Sequence, residues 1–389
     1  PSILGCTVTG RGDQKNERYG WLWALLDCGI QPKYVSYLDA RKGGLSRKDF
    51  DVLVLPLAVS LSPEEVAAVR AFVEEGGAAL ADSAPGLLSG HCRALPEGSL
   101  DTLFGVAHAD AVKDRKAEGE LKVAGSAHGL TLGEWTQGTS LMTAGVALAG
   151  GKALGMAGQV PAFVVHRAGK GKTLYMNYSM SRYLELRGGG KEQGMREQFR
   201  AILDWSGARQ AVPVTDAAGK PIDKLVVYRH QNGPAYLLSC VLDAEKELPA
   251  RATFPQEGHV YDARAGRYLG KAASVPVILP AKDGLVLAWM PYRVEALRCA
   301  PVSAARGDAA ELAIEVRSDG KPAAHVVRME IVAPDGKTLD ALAQNMLLRE
   351  GRGTASVPLA LNDAAGAYTV RLRDVATGVR AESVLTVKP

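Results

Sequence analysis

Nowhere in these 389 residues do apolar side chains run for the roughly 18 positions that a membrane-crossing helix needs, and the longest apolar runs are strand-sized. No membrane span is expected. Neither sign of charge dominates either. The 46 Lys and Arg stand against 42 Asp and Glu for a net +4, and the basic residues are scattered rather than gathered into a stripe. A nucleic-acid partner is therefore not expected. Cysteine is sparse: Cys6, Cys28, Cys92, Cys240 and Cys299 are far apart, odd in number and without a CxxC pair. That spacing excludes a disulfide framework and a zinc ribbon. Histidines outside His91 show no i, i+4 or His-x-His spacing, so neither a metal nor another cofactor is expected. The chain also opens without an initiator Met or a charged, apolar leader, which reads as a processed chain or a segment of a longer one.

What is present is the balance of a globular protein, 47% apolar and 23% charged, at a length that suits two or three domains. The first half alternates strand-like and helix-like segments. Ile3 to Val8 reads as a strand, Glu17 to Cys28 has helical spacing with Gly29 as its stop, and Lys33 to Tyr37 reads as a second strand. Asp51 to Pro56 is a continuous apolar run, the pattern of a parallel strand. Ser62, Pro63 and Glu65 form a capping box at the head of a helix whose stripe is Val66, Val69, Phe72 and Val73. Gly76-Gly77 ends it before the strand Ala78 to Ala81. This is a βαβ unit, which predicts a parallel sheet with helices on both faces. Pro161 to Val165 and Thr173 to Asn177 read as a hairpin around Gly169-Lys170-Gly171-Lys172, and Lys191 to Trp205 as the last helix. Beyond Val212 the period changes to 2 and turn pairs recur, among them Asn232-Gly233, Ala265-Gly266 and Thr377-Gly378. Two β-sandwich modules are expected, divided near Leu297 to Pro301.

Gly169-Lys170-Gly171-Lys172-Thr173 fails as a phosphate-binding loop, because His166 stands where the first glycine belongs and a strand, not a helix, follows. Gly10-Arg11-Gly12 lacks the third glycine of a dinucleotide fingerprint and reads as an ordinary loop. Asn177-Tyr178-Ser179 is a glycosylation sequon. His91-Cys92 is the one adjacent pair with thiol chemistry, in a Ser-Gly-rich loop with no third group. Trp21 and Trp23 fall on different faces of the first helix, so one suits a core and the other an interface.

The run "FDVLVLPLAVSLSPEEVAAVRAFVEEGGAALADSAPG", then "LDTLFGV" and "PAFVVHRAGKGKTLYMNYSMSRY", resembles the class I glutamine amidotransferase-like domain. More narrowly it resembles the trimerisation domain of bacterial beta-galactosidases of glycoside hydrolase family 42. "GHVYDARAGRYLG" and "VILPAKDGLVLAWMPY" resemble the small C-terminal β domain of those enzymes, and residues 300–389 an Ig-like or macroglobulin-type module of secreted bacterial proteins. The resemblance implies a flavodoxin-like parallel-sheet domain over 1–210, then two all-β sandwich domains over 211–298 and 299–389. It implies self-association as a trimer, carbohydrate contact, and a periplasmic or extracellular place rather than a cytoplasmic one. A working amidotransferase carries Cys at the elbow after its central strand, activated by His and an acid. Here that elbow reads Asp82-Ser83-Ala84-Pro85-Gly86, and the catalytic barrel of the resembled enzymes has no counterpart in these residues. The expectation is a non-catalytic region of a glycoside-hydrolase-like protein, serving assembly through Trp21 or Trp23. Two rivals are a hydrolase or amidotransferase using Ser83 or the pair His91-Cys92, and a stand-alone secreted binding protein.

Overall fold

The computed structural model describes residues 2, 6, 12–109 and 116–389, which form two compact units, 1–210 and 211–389. Of the expected strand Ile3 to Val8, only Cys6 lies among the described residues, and it is helical. Gly10 and Arg11 also lie outside them. Helix α1 (Gln14–Asp27) begins at Asp13, whose carboxylate accepts from Lys15 N at 2.8 Å. The second strand expected over Lys33 to Tyr37 does not form. Residues 31–36 are irregular, and Ser36 accepts from Asp39 N to cap a short helix, α2 (Tyr37–Arg41). A local cap there outweighs the strand propensity of the residues before it.

Strand β1 (Val52–Leu55), helix α3 (Pro63–Glu74) and strand β3 (Ala78–Asp82) make the expected βαβ unit, with β1 and β3 parallel in register Val52↔Ala78. Between and after them, β2 (Ser60–Leu61) pairs with β4 (Leu88–Ser89). The capping box is formed: Ser62 N donates to Glu65 at 2.7 Å and Ser62 Oγ accepts from Glu65 N at 3.3 Å. Ser62→Ala should lower the stability of the first unit by about 1 kcal/mol. A chemical-denaturation midpoint equal to that of the wild type would show that the cap contributes nothing.

The first unit continues with α4 (Asp101–Phe104), β5 (Val106–His108), β6 (Lys116–Ala127), β7 (Leu130–Thr143) and β8 (Val146–Leu148). Next come β9 (Lys152–Ala157), β10 (Val160–Ala168), β11 (Gly171–Met176), α5 (Ser181–Gly188) and α6 (Gln193–Ser206). The main sheet has seven strands in the order β1-β3-β11-β10-β9-β6-β7. Only β1, β3 and β11 run parallel; the other pairings are antiparallel. The flavodoxin-like parallel sheet is thus corrected to a mixed sheet. A parallel pairing needs a crossover of about a dozen residues. The joins β6–β7, β9–β10 and β10–β11 have two residues each, His128-Gly129, Gly158-Gln159 and Gly169-Lys170. His128 and Gly129 both have positive φ, 50° and 84°, the conformation of a tight hairpin turn.

Helices lie on both faces of this sheet. Side chains of β3 and β11 alternate between two cores. Leu80, Leu174 and Met176 pack with Trp21, Tyr183 and Phe199, while Ala79, Ala81 and Tyr175 pack with Phe72 and Val73.

The second unit is all β. Strands β12 (Val214–Asp216), β13 (Leu225–Asn232), β14 (Ala235–Leu242), β15 (Leu248–Asp262), β16 (Arg267–Leu279) and β17 (Gly284–Met290) form one six-stranded sheet, ordered β12-β15-β17-β14-β13 with β16 on β15. One bent sheet therefore stands where a two-sheet sandwich was expected. Register shifts in the 15-residue β15, between Thr253 and Gly258 and between Val260 and Tyr261, are the bulges that let it bend around its own core. The remaining strands are β18 (Val294–Cys299), β19 (Val302–Ala305), β20 (Ala309–Ser318), β21 (His325–Val332), β22 (Gln344–Leu348), β23 (Arg352–Pro358), β24 (Gly366–Asp374) and β25 (Arg380–Lys388). They make a three-stranded sheet, β18-β20-β23, and a five-stranded one, β19-β25-β24-β21-β22, joined by a core that includes Leu312, Ile314, Val327, Met329, Val370 and Leu385. Strand makes up 49% of the described residues and helix 17%, so they are β-rich. Among the described residues no helix is long and apolar enough to cross a membrane.

Candidate functional site at the ends of the parallel strands

In sheets of this kind ligands and catalytic groups collect at the carboxyl ends of the parallel strands. Here β1, β3 and β11 bring Leu55, Asp82 and Met176 to one edge. Three residues other than glycine take positive φ just beyond: Leu57 at 40°, Ser83 at 25° and Ala84 at 44°. Such backbone is costly and persists only where the surroundings enforce it. Ser83 N donates to Met176 O at 2.8 Å, and Gly86 N to Ala58 O at 2.8 Å, which pins the elbow to both neighbouring strand ends.

Asp82 is fully buried and fixed from two sides. Its Oδ2 accepts from Trp21 Nε1 at 2.9 Å, and its Oδ1 accepts from Leu57 N. Glu17, 5% exposed, reaches it from α1. The Glu17 carboxylate accepts from Ser179 Oγ and, at 3.1 Å, from Ser181 N, which ties α1 to the start of α5. Burial raises the pKa of both carboxyls. Asp82 goes well above the usual range, raised next by the Glu17 charge, while the Leu57 and Trp21 donors pull it down. Both carboxyls are thereby biased toward the neutral form, Asp82 the more strongly.

Ser83 sits where a nucleophile would stand, half-buried, yet among the described residues no histidine hydrogen-bonds its hydroxyl. His91 is exposed, and Cys92 is half-buried at φ 60° with its Sγ 3.6 Å from Ser60 Oγ. The one buried His–Asp pair among the described residues of the first unit, His108 Nδ1 to Asp101 at 2.8 Å, turns its other nitrogen to Tyr175 OH at 3.2 Å and so braces α4 against β11. Trp21 is 1% exposed and stacks edge-on against Phe199 at 5.5 Å, a core residue. Trp23 is half-buried with the Arg187 guanidinium 4.3 Å over its ring. The sequon residue Asn177 is fully buried and exchanges two 2.9 Å hydrogen bonds with the Thr143 backbone, so the folded chain does not offer it for glycosylation. No cluster of three or more metal-ligating side chains occurs among the described residues.

The carboxyl pair escaped the sequence reading. Its one signal is an acid closing the otherwise apolar strand Ala78–Asp82, where a polar group must find a partner.

No family model and no curated protein sequence matches the chain. Among solved structures it is similar to a beta-galactosidase from Bacillus circulans sp. alkalophilus, at 15% identity over 72% of this chain and 38% of that one, TM-score 0.52. A beta-galactosidase from Rahnella sp. R3 gives 17% identity, 69% and 36% coverage and a TM-score of 0.49. A GH42 beta-galactosidase from G. stearothermophilus gives 12%, 70% and 36%, and 0.48. The chain spans less than half the length of these enzymes, and what it shares with the first of them is the fold.

Proposed function

We propose that the chain is a non-catalytic part of a glycoside-hydrolase-like protein, serving assembly and carbohydrate contact. The observation that carries this reading is the state of the elbow after β3. Its acid is locked between Trp21, Leu57 and Glu17, and its serine has no base among the described residues. Glycoside hydrolysis needs two carboxyls flanking the sugar, about 5–10 Å apart and open to it. Glu17 and Asp82 instead are buried and held by donors from α1, the β1 end and the start of α5, so they act as a brace. The fold held in common with a beta-galactosidase supports the association with carbohydrate enzymes, and the domain division 1–210, 211–298 and 299–389 belongs to the same reading. Assembly is assigned to the outer face of α1, where Tyr19 and Trp23 lie four residues apart, Tyr19 exposed and Trp23 half-buried.

The purified chain should turn over neither glutamine nor a nitrophenyl β-galactoside. One observation favours the rival hydrolase, the strained φ of Ser83. Turnover that disappears in Ser83→Ala or Cys92→Ala would establish that rival and end the non-catalytic reading. Sedimentation velocity over a range of concentrations tests assembly: a monomer throughout removes it.

A further inference from the structure

On the five-stranded sheet of the second unit, outward side chains fall into rows across the strands. Arg328 of β21 is the register partner of Arg373 of β24, which is in turn the partner of Arg380 of β25; Asn345 of β22 extends the row past Arg328. The next row holds Glu330, Arg371 and Glu382. On the other side stand Leu347, Val326 and Val375, all exposed. The charged residues line an open groove of about 800 Å³.

Like charges directly opposite on neighbouring strands are destabilising, and this row has three. Arg371 is matched by Glu382 at 3.2 Å, and Arg328 reaches Glu330 at 3.5 Å. Among the described residues no carboxylate lies within ion-pair distance of Arg373 or Arg380. The fold thus places two arginines as register partners on adjacent strands, neither with an ion pair among the described residues.

We propose that this row is a binding site for an anionic polysaccharide, one that carries a carboxylate or sulfate on successive sugars. Adjacent strands lie about 4.8 Å apart, so the three arginines set out donors at even steps over roughly 10 Å. A guanidinium fork takes a planar or tetrahedral oxyanion with two parallel hydrogen bonds. Asn345 adds an amide for a hydroxyl, and the exposed apolar row receives the C–H face of a ring. Among the described residues lining the groove there is no aromatic side chain on which a base would stack, which sets it apart from a single-stranded nucleic-acid site. The inference rests on the carbohydrate reading above and names the ligand class for it.

The test is titration of the whole chain with polygalacturonate, dextran sulfate, neutral galactan and poly-glutamate at about 150 mM salt, where weak exposed attractions are screened. Polygalacturonate or dextran sulfate should bind, and the preferred one identifies the anion. Arg373→Gln with Arg380→Gln should weaken that binding about tenfold. Both side chains lie on the outer face, so the variant keeps its fold. Arg352→Gln, in the opposite sheet and paired with Glu315, should leave binding unchanged. Absence of binding, equal binding by the double variant, or equal binding of galactan or poly-glutamate overturns the inference. Turnover of a galactoside with arginine-dependent binding intact would sink only the non-catalytic reading.

Discussion

Trp21→Ala should cost the first unit about 3–5 kcal/mol, the range for emptying a buried aromatic site. The indole is enclosed by Phe199 and the β3 and β11 side chains, and its Nε1 donates to Asp82. Truncation therefore removes packing and leaves a buried carboxyl short of one donor, and the second loss adds to the first. Since a domain is stable by about 5–15 kcal/mol, the variant will sit near its folding threshold. Trp21→Phe separates the two parts: it keeps most of the ring and should lose about 1–3 kcal/mol for the missing hydrogen bond. Trp23→Ala, at a half-buried position, is the control and should shift stability much less. Denaturation followed by tryptophan emission reads the first unit, because Trp21, Trp23, Trp135 and Trp205 all belong to it and only Trp289 does not. A Trp21→Ala midpoint no lower than that of Trp23→Ala would show that the indole is not the support described.

Much of the fold was legible where local chemistry and tertiary packing agree. Ser62-Pro63 with Glu65 names a helix start by hydrogen bonds that any context permits, and β1–α3–β3 formed as read. Gly207 at φ 93° closes the last helix of the first unit, and the pairs Asn232-Gly233 and Ala265-Gly266 do turn hairpins. Legibility failed over 106–160. There β6 and β7 are half-exposed strands without a sustained apolar run, and the pairing of β6 with β9 is decided by partners distant in sequence. It failed again at Lys33 to Tyr37, where one serine cap decides the conformation. For the site, the elbow's position and its lack of cysteine could be read from the residues, but not the meeting of Glu17 and Asp82, 65 positions apart; only the packing of α1 over the strand ends brings them together. The arginine row was equally hidden, since Arg328, Arg373 and Arg380 become neighbours through register alone.

Glu17→Gln should flatten a pH dependence that the wild type shows on the alkaline side. Both carboxyls of the pair have raised pKa values in the folded chain, by burial first and, for Asp82, by the Glu17 charge second. Between the ordinary carboxylate pKa of about 4 and the raised folded values, the native state holds more protons than the unfolded chain. Stability from this pair is therefore fully present below about pH 4 and is lost as pH rises through the folded values. This is the reverse of a salt-bridged carboxylate. A tenfold difference in proton affinity between the folded and unfolded chain corresponds to about 1.4 kcal/mol, so the decline should be measurable as pH rises above the ordinary carboxylate range. In Glu17→Gln the like charge beside Asp82 is gone while its burial and its Leu57 and Trp21 donors remain, and the amide nitrogen replaces an oxygen that accepted from Ser179 Oγ or Ser181 N. The variant should be about 1 kcal/mol less stable than the wild type at about pH 5, for the lost acceptor, and should lose less stability than the wild type toward about pH 8. Denaturation midpoints from tryptophan emission at several pH values measure both. A wild type whose first-unit stability rises with pH, or a variant with the same slope, would show that the two acids are not coupled.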